Sequence, residues 1–224
     1  MTSRRPALLL RLVPPVLWGL ILACVVPELV LLAADWGLWG SSRWRPQAYA
    51  YGAFWAGLLQ GWQPNYPGQA VLMFGSHALL HTGPAHALGN ALALWIAGGA
   101  VMQRLGPRGL VLVTLASVLG GGAAFGLLAQ TAAPMVGASG AVFGLAAGWL
   151  WLAAPEAPEG PWRRRLAGLA GLAGLNLASW VALSGQLAWE THLGGVIGGL
   201  LAAALLDRTR KRAGPQDRPD ETRR

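Results

Sequence analysis

The chain has 224 residues, 54% of them hydrophobic and only 12% charged. Soluble domains carry about 25% charged residues, so this composition excludes an ordinary soluble fold and describes a polytopic membrane protein. The net charge of +8 comes from basic residues that flank apolar runs rather than form one patch, which argues against nucleic-acid binding.

The first apolar run covers about residues 16–34 and is interrupted by Pro27 and Glu28. Arg4 and Arg5 precede it, as in a secretory leader. The run exceeds the roughly 7–15 apolar residues of a leader's core, so it is read as a retained span. Its one cysteine, Cys24, is the only one in the chain. That excludes an internal disulfide and a cysteine-rich metal site and leaves a small packed hydrophobe. Residues 35–69 form a long loop with Trp36, Trp39, Trp44, Trp55 and Trp62. Tryptophan favours the membrane interface, which places this loop at the outer surface, with a short helix expected near Tyr49–Leu59.

Five more apolar runs follow, at about residues 85–101, 110–129, 136–153, 166–183 and 187–206. Residues 1–206 thus read as one six-helix membrane domain, and 207–224 as a basic, disordered cytoplasmic tail. If the N-terminus is cytoplasmic, every one of the 17 basic residues except Arg43 and Arg45 falls on the inner side. Five or seven spans would spoil that asymmetry, so six spans with both termini inside is the expected topology. Glycine contributes 32 residues, about twice the usual ~7%, and implies close helix packing.

Polar side chains inside lipid are costly and mark functional sites. Three spans running inward carry theirs near the start: His86 and Asn90 in the second, Ser139 in the fourth, and His192 about a turn into the sixth. At 1.5 Å per residue all lie roughly 5–10 Å below the outer boundary. Small residues recur every four positions at Gly140, Gly144 and Gly148, and again at Gly195 and Gly199 and at Gly194 and Gly198. Such stripes let the fourth and sixth spans approach closely. Ser139 and His192 then form a nucleophile–base candidate in which imidazole takes the hydroxyl proton. No carboxylate is placed to extend it, since Glu190 falls on nearly the opposite helix face from His192, so a Ser–His dyad is the economical reading. His86 and Asn90 share a face at spacing four. With the Ser139 backbone N–H they form an oxyanion-binding candidate, the alternative being hydrogen bonding between helices. His77 and His81 have ligand spacing, but no carboxylate or cysteine cluster accompanies them, so neither a metal nor another cofactor is expected. No aspartate lies in any span, which argues against an aspartyl protease.

The ordered set His81, His86-xxx-Asn90, Gly98-Gly99, Arg104-Leu105-Gly106, Gly137-x-Ser139-Gly140-xxx-Gly144 and His192-xx-Gly195-xxx-Gly199 resembles the rhomboid family of intramembrane serine proteases, with the likeness running from about His77 to Leu206. The resemblance implies Ser139 as nucleophile, His192 as base, and His86, Asn90 and the Ser139 N–H, beside Gly137, as oxyanion- and substrate-binding groups. It implies that Phe143 packs on the histidine and that Gly140, Gly195 and Gly199 support the pair. It further implies cofactor-free cleavage of transmembrane protein substrates, with the fifth span and the loop around Ser184–Gln186 as gate and cap. A bacterial inner membrane is the expected location, with the site facing outward. The chain departs from the family at Leu72-Met73, where Trp-Arg is frequent, and at Met102, where glutamate is frequent. Both departures bear on loop anchoring and stability. Two other readings stand beside the protease: a catalytically silent rhomboid-like escort for membrane clients, and a transporter, for which midplane charges and internal repeats are missing.

Overall fold

The computed structural model describes residues 15–156 and 158–212. The basic residues at 4, 5 and 11 and those of the expected tail beyond 212 lie outside the described residues. Within them the chain is helical, and no strands occur apart from one isolated bridge. Helix α1 is Pro15–Asp35, α2 Trp44–Gly52, α3 Gln69–Ser76, α4 Pro84–Ala93, α5 Gly99–Leu128, α6 Ser139–Ala153, α7 Pro161–Ala182 and α8 Trp189–Arg212. Three helical stretches are long and apolar enough to cross a membrane: Pro15–Asp35, Pro84–Leu128 and Trp189–Arg212. Helix α6 is apolar but shorter. Helix α7 falls outside that group, its apolar run being diluted by glycine, Asn176 and Arg163–Arg165.

Helices α4 and α5 are joined by a wide turn at Leu94–Gly98, and the run then breaks at Gly106, whose φ of 74° and ψ of −179° are not helical. Pro107 follows and cannot donate to the preceding turn. The chain doubles back there: a methyl group at Gly98 would lie 3.4 Å from the Leu110 side chain, whereas a straight helix would separate these residues by about 18 Å. The break falls between the spans expected at 85–101 and 110–129.

Helix α8 is central. On one face, a methyl group at Gly195 would strike the Gly140 carbonyl, and one at Gly199 the Gly144 carbonyl. This is the stripe-to-stripe contact expected from the sequence. On a second face Gly194 and Gly198 meet the carbonyls of Gly120 and Ala116 on α5, a contact not anticipated. Gly144 also leaves room for Ser117, whose hydroxyl donates to the Val113 carbonyl at 2.6 Å. Lipid supplies no hydrophobic drive between helices, so such backbone approach is what holds a bundle together. On the other side, Leu17, Ile21 and Cys24 of α1 pack with Leu94, Val101, Leu110, Leu145 and Ala203 into one apolar core.

Helix α8 runs past the expected end at Leu206 to Arg212, so residues 207–212 are helical rather than irregular. Lys211 pairs with Asp207 one turn back at 2.7 Å, and three basic residues close the last turn, both of which favour the helix. Helix α6 starts at Ser139 rather than at Val136 because Gly137 has a φ of +125°. The long loop contains α2 and a tight turn at Ala56–Leu59, and α3 begins at its end. A short helix therefore exists there, beginning earlier than expected, and α3 was not foreseen. Phe54 and Met73 are buried beneath this loop with Phe125 and Met135.

A side chain on the α8 faces should be far more damaging than one on α7. Gly199→Val is expected to cost roughly 3 kcal/mol or more, since it collides with backbone. Gly174→Ala, in open space on α7, should stay within about 0.5 kcal/mol. Thermal unfolding of the purified protein in detergent measures both.

Candidate active site

The sharp start of α6 builds the centre of the site. Phe54 and Met135 exchange two backbone hydrogen bonds of 2.9 Å, and the Gly137 N–H donates to the His77 carbonyl at 2.9 Å. These clamp the approach to the helix, so that Ser139 sits at its first position with a backbone N–H that has no helical acceptor. A methyl group at Gly137 would lie 2.7 Å from the His86 ring, and its left-handed φ also favours glycine.

Across from it, His192 Nε2 lies 2.8 Å from Ser139 Oγ. The imidazole stacks on Phe143, with ring centres 4.1 Å apart and planes 6° apart. Its Nδ1 lies 2.7 Å from Oδ1 of Asn176 on α7. His86, Asn90, Ser139 and His192 line one cavity of about 490 Å³, closed on another side by Ser179, Leu183 and Gln186. The structure therefore brings together the residues singled out from the sequence.

Two of the cavity's polar groups are arranged as donors. The Thr82 N–H reaches His86 Nδ1 at 3.5 Å, and the Thr82 hydroxyl lies 3.1 Å from the same nitrogen. With Nδ1 accepting, the proton sits on Nε2, which faces the space beside Gly137. The Nδ2 of Asn90 is buried with no partner. A buried unpaired donor costs about 1–3 kcal/mol, and one beside this cavity is suited to meeting negative charge on a bound group. The other histidines serve the frame. His77 Nδ1–H donates to the Met73 carbonyl at 2.7 Å. His81 packs edge-on against His86 at 5.0 Å. Burial, helped by nearby His86, pushes His81 down to about 4, so it packs as a neutral ring.

Three contributors escaped sequence reasoning. Asn176 lies in a span read for its hydropathy and as a gate, with no residue of it singled out, and Thr82 lies in a loop. Arg45 is the third. Its guanidinium forks onto both oxygens of Glu28 on α1 at 2.9 Å, reaches Asp35 at 2.6 Å, and donates to the His81 carbonyl at 3.0 Å. Tyr49 donates to that carbonyl at 2.6 Å. The Glu28 contact raises the Arg45 pKa above its already high ordinary value, against the opposing effect of burial. A charge inside the first apolar run, with only two arginines in the loop that follows it, was the signal that could have found this pair.

Residues 68–209 match the Rhomboid domain model. The chain belongs to the rhomboid family. It is 34% identical over 129 residues to Rhomboid protease GluP of Bacillus subtilis (strain 168), covering 57% of this chain and 24% of that protein. It is 37% identical over 84 residues to Rhomboid protease GlpG of Yersinia pestis (strain Pestoides F), covering 38% and 29% respectively. The chain thus spans under a third of the length of these relatives. Family and apolar helices together make this rhomboid an integral membrane protein. Leu72-Met73 stands where other rhomboids often carry Trp-Arg. Met73 here is fully buried in the apolar cluster under the loop, and Arg45 supplies the guanidinium that ties the loop to α1.

Glu28 is 2% exposed, so removing its partner strands a buried charge. Arg45→Ala is expected to destabilise the protein by about 3–5 kcal/mol, while the double change Glu28→Leu with Arg45→Met recovers most of the loss. Unfolding midpoints of the three proteins decide this.

Proposed function

We propose that this rhomboid is an intramembrane serine endopeptidase. Its substrates are membrane proteins cut in or near a transmembrane segment, and it uses no cofactor. The observation that carries the reading is the 2.8 Å contact between Ser139 Oγ and His192 Nε2 in the cavity that also holds His86 and Asn90. The relatives named as proteases support it.

The chemistry balances with these groups alone. Ser139 Oγ bonds the peptide carbonyl carbon as its proton passes to His192 Nε2. His86 Nε2–H, Asn90 Nδ2–H and the Ser139 N–H hold the oxyanion. The C–N bond breaks, His192 gives its proton to the leaving amine, and the acyl group stays on Ser139 as an ester. Water then loses a proton to His192 and bonds the ester carbon. The C–Oγ bond breaks and the proton returns to Ser139. General acid–base help of this kind contributes about 10²–10⁴-fold.

In this reading the chain crosses a bacterial inner membrane six times with both termini inside, and the cavity opens to the outer side. The uneven distribution of basic residues and the bend at Gly106 support that topology. Helix α7 and the loop around Ser184–Gln186 form the gate and cap. Helix α7 has no buried residue, which suits an element that must part from its neighbours to admit a substrate helix.

Purified protein in liposomes is expected to cleave a model transmembrane substrate and to react with a serine-directed fluorophosphonate. Ser139→Ala should abolish both, and His86→Ala should slow cleavage roughly 10²–10³-fold. A well-folded wild type that neither cleaves nor labels would instead indicate a client-binding rhomboid.

A further inference from the structure

Asn176 is a polar amide in the apolar stretch of α7 that follows Arg165, and its neighbours Leu175, Leu177 and Trp180 are exposed. In lipid such a group is expensive without a partner, and its partner here is the histidine of the reaction cavity. The carbonyl oxygen Oδ1 can only accept, so at 2.7 Å it takes the hydrogen of His192 Nδ1. That contact leaves the lone pair on Nε2, the nitrogen 2.8 Å from Ser139 Oγ. Phe143 limits tilting of the imidazole by stacking on its face, while Asn176 opposes rotation within the ring plane. The family resemblance and the chain's carboxylates point to a Ser–His pair; the geometry adds a third group.

We propose that Asn176 is a positioning residue that holds His192 in the tautomer and orientation able to accept the serine proton, making a Ser139–His192–Asn176 relay. This rests on the endopeptidase reading above. A neutral amide stabilises the imidazolium less than a carboxylate does, but with Oδ1 facing the ring it still selects the Nδ1–H tautomer, as the Cys-His-Asn set of papain-like proteases illustrates. Location adds a consequence. Asn176 also borders an apolar cavity of about 270 Å³, lined in part by Phe143, Leu172, Trp189 and Val196, between α6, α7 and α8. The alignment of the base therefore depends on α7 being in place. A displaced α7 leaves His192 Nδ1 without its acceptor, and hydrolysis requires the helix to return after a substrate enters.

The test uses the full-length protein with Asn176→Leu, which removes the acceptor, and Asn176→Asp, which keeps one. Three quantities are read: labelling by a small fluorophosphonate, which needs no helix entry; kcat and KM for a transmembrane substrate; and the ¹⁵N spectrum of His192. Asn176→Leu should lower the labelling rate and kcat about 10–100-fold, with KM within about two-fold, and should replace the single Nδ1–H tautomer by a mixture. Asn176→Asp should restore both rates to within a few-fold of wild type. The proposal is overturned if Asn176→Leu labels at the wild-type rate, if it cleaves faster (the mark of a mere gate latch), or if the Nδ1–H tautomer persists without Asn176. A wild type that does not label, despite a tautomer that depends on Asn176, overturns the endopeptidase reading and leaves the positioning of His192 standing.

Discussion

The contact on which the site depends is the backbone approach of α8 to both α5 and α6. Gly195 and Gly199 press against the carbonyls of Gly140 and Gly144, while Gly194 and Gly198 press against those of Gly120 and Ala116. Two adjacent glycine faces on one helix allow it to wedge between two others. The hydroxyl of Ser139 is short, and the imidazole of His192 reaches only a few ångströms from its backbone. Their 2.8 Å contact exists because the helices carrying them touch at the main chain. Side chains at the four α8 positions would separate the helices and, with them, Ser139 from His192.

A second frame, built from loops, sets the donors. The Phe54–Met135 bridge and the bond from Gly137 to His77 fix the entry to α6. The Glu28–Arg45 pair ties α1 to α2 and holds the carbonyl of His81, the residue next to Thr82. Thr82 in turn orients His86. A buried ion pair is weak support for stability in general. Here its geometry is bidentate, with a further carbonyl and carboxylate on the same guanidinium, so it specifies where the loop lies. It does so in a chain that lacks the Trp-Arg pair frequent in other rhomboids, and Met73 can then serve the apolar packing beneath the loop, while Leu72 is exposed.

The least embedded helix, α7, contributes the acceptor for His192 Nδ1. The contrast with α8 is physical. Helix α8 is locked by backbone contacts along much of its length, whereas α7 touches α6 closely where Gly168 meets Leu150, borders the cavity through Ser179 and reaches His192 through Asn176. A site assembled partly from a lightly held element is sensitive to that element's position, in keeping with the general rule that moving parts are drawn from the low-stability regions of a fold.

Much of this was legible in the linear chain. Apolar runs gave the helices, because length and hydropathy are local properties. The glycine stripes foretold the α6–α8 contact, because a spacing of four defines one helix face. Ser139, His192, His86 and Asn90 stood out as polar groups near the starts of apolar runs, and the family motif ordered them. Tertiary structure decided what depends on neighbours from distant segments. It turned the second α8 stripe onto α5, bent the chain at Gly106, and began α6 at Ser139 through bonds reaching back to His77 and Phe54. It also supplied the partners of three polar groups: Asn176 for His192, Thr82 for His86, and Arg45 for Glu28. A hydrogen-bond partner is set by where two chains cross in space, and no periodicity along either segment encodes that crossing.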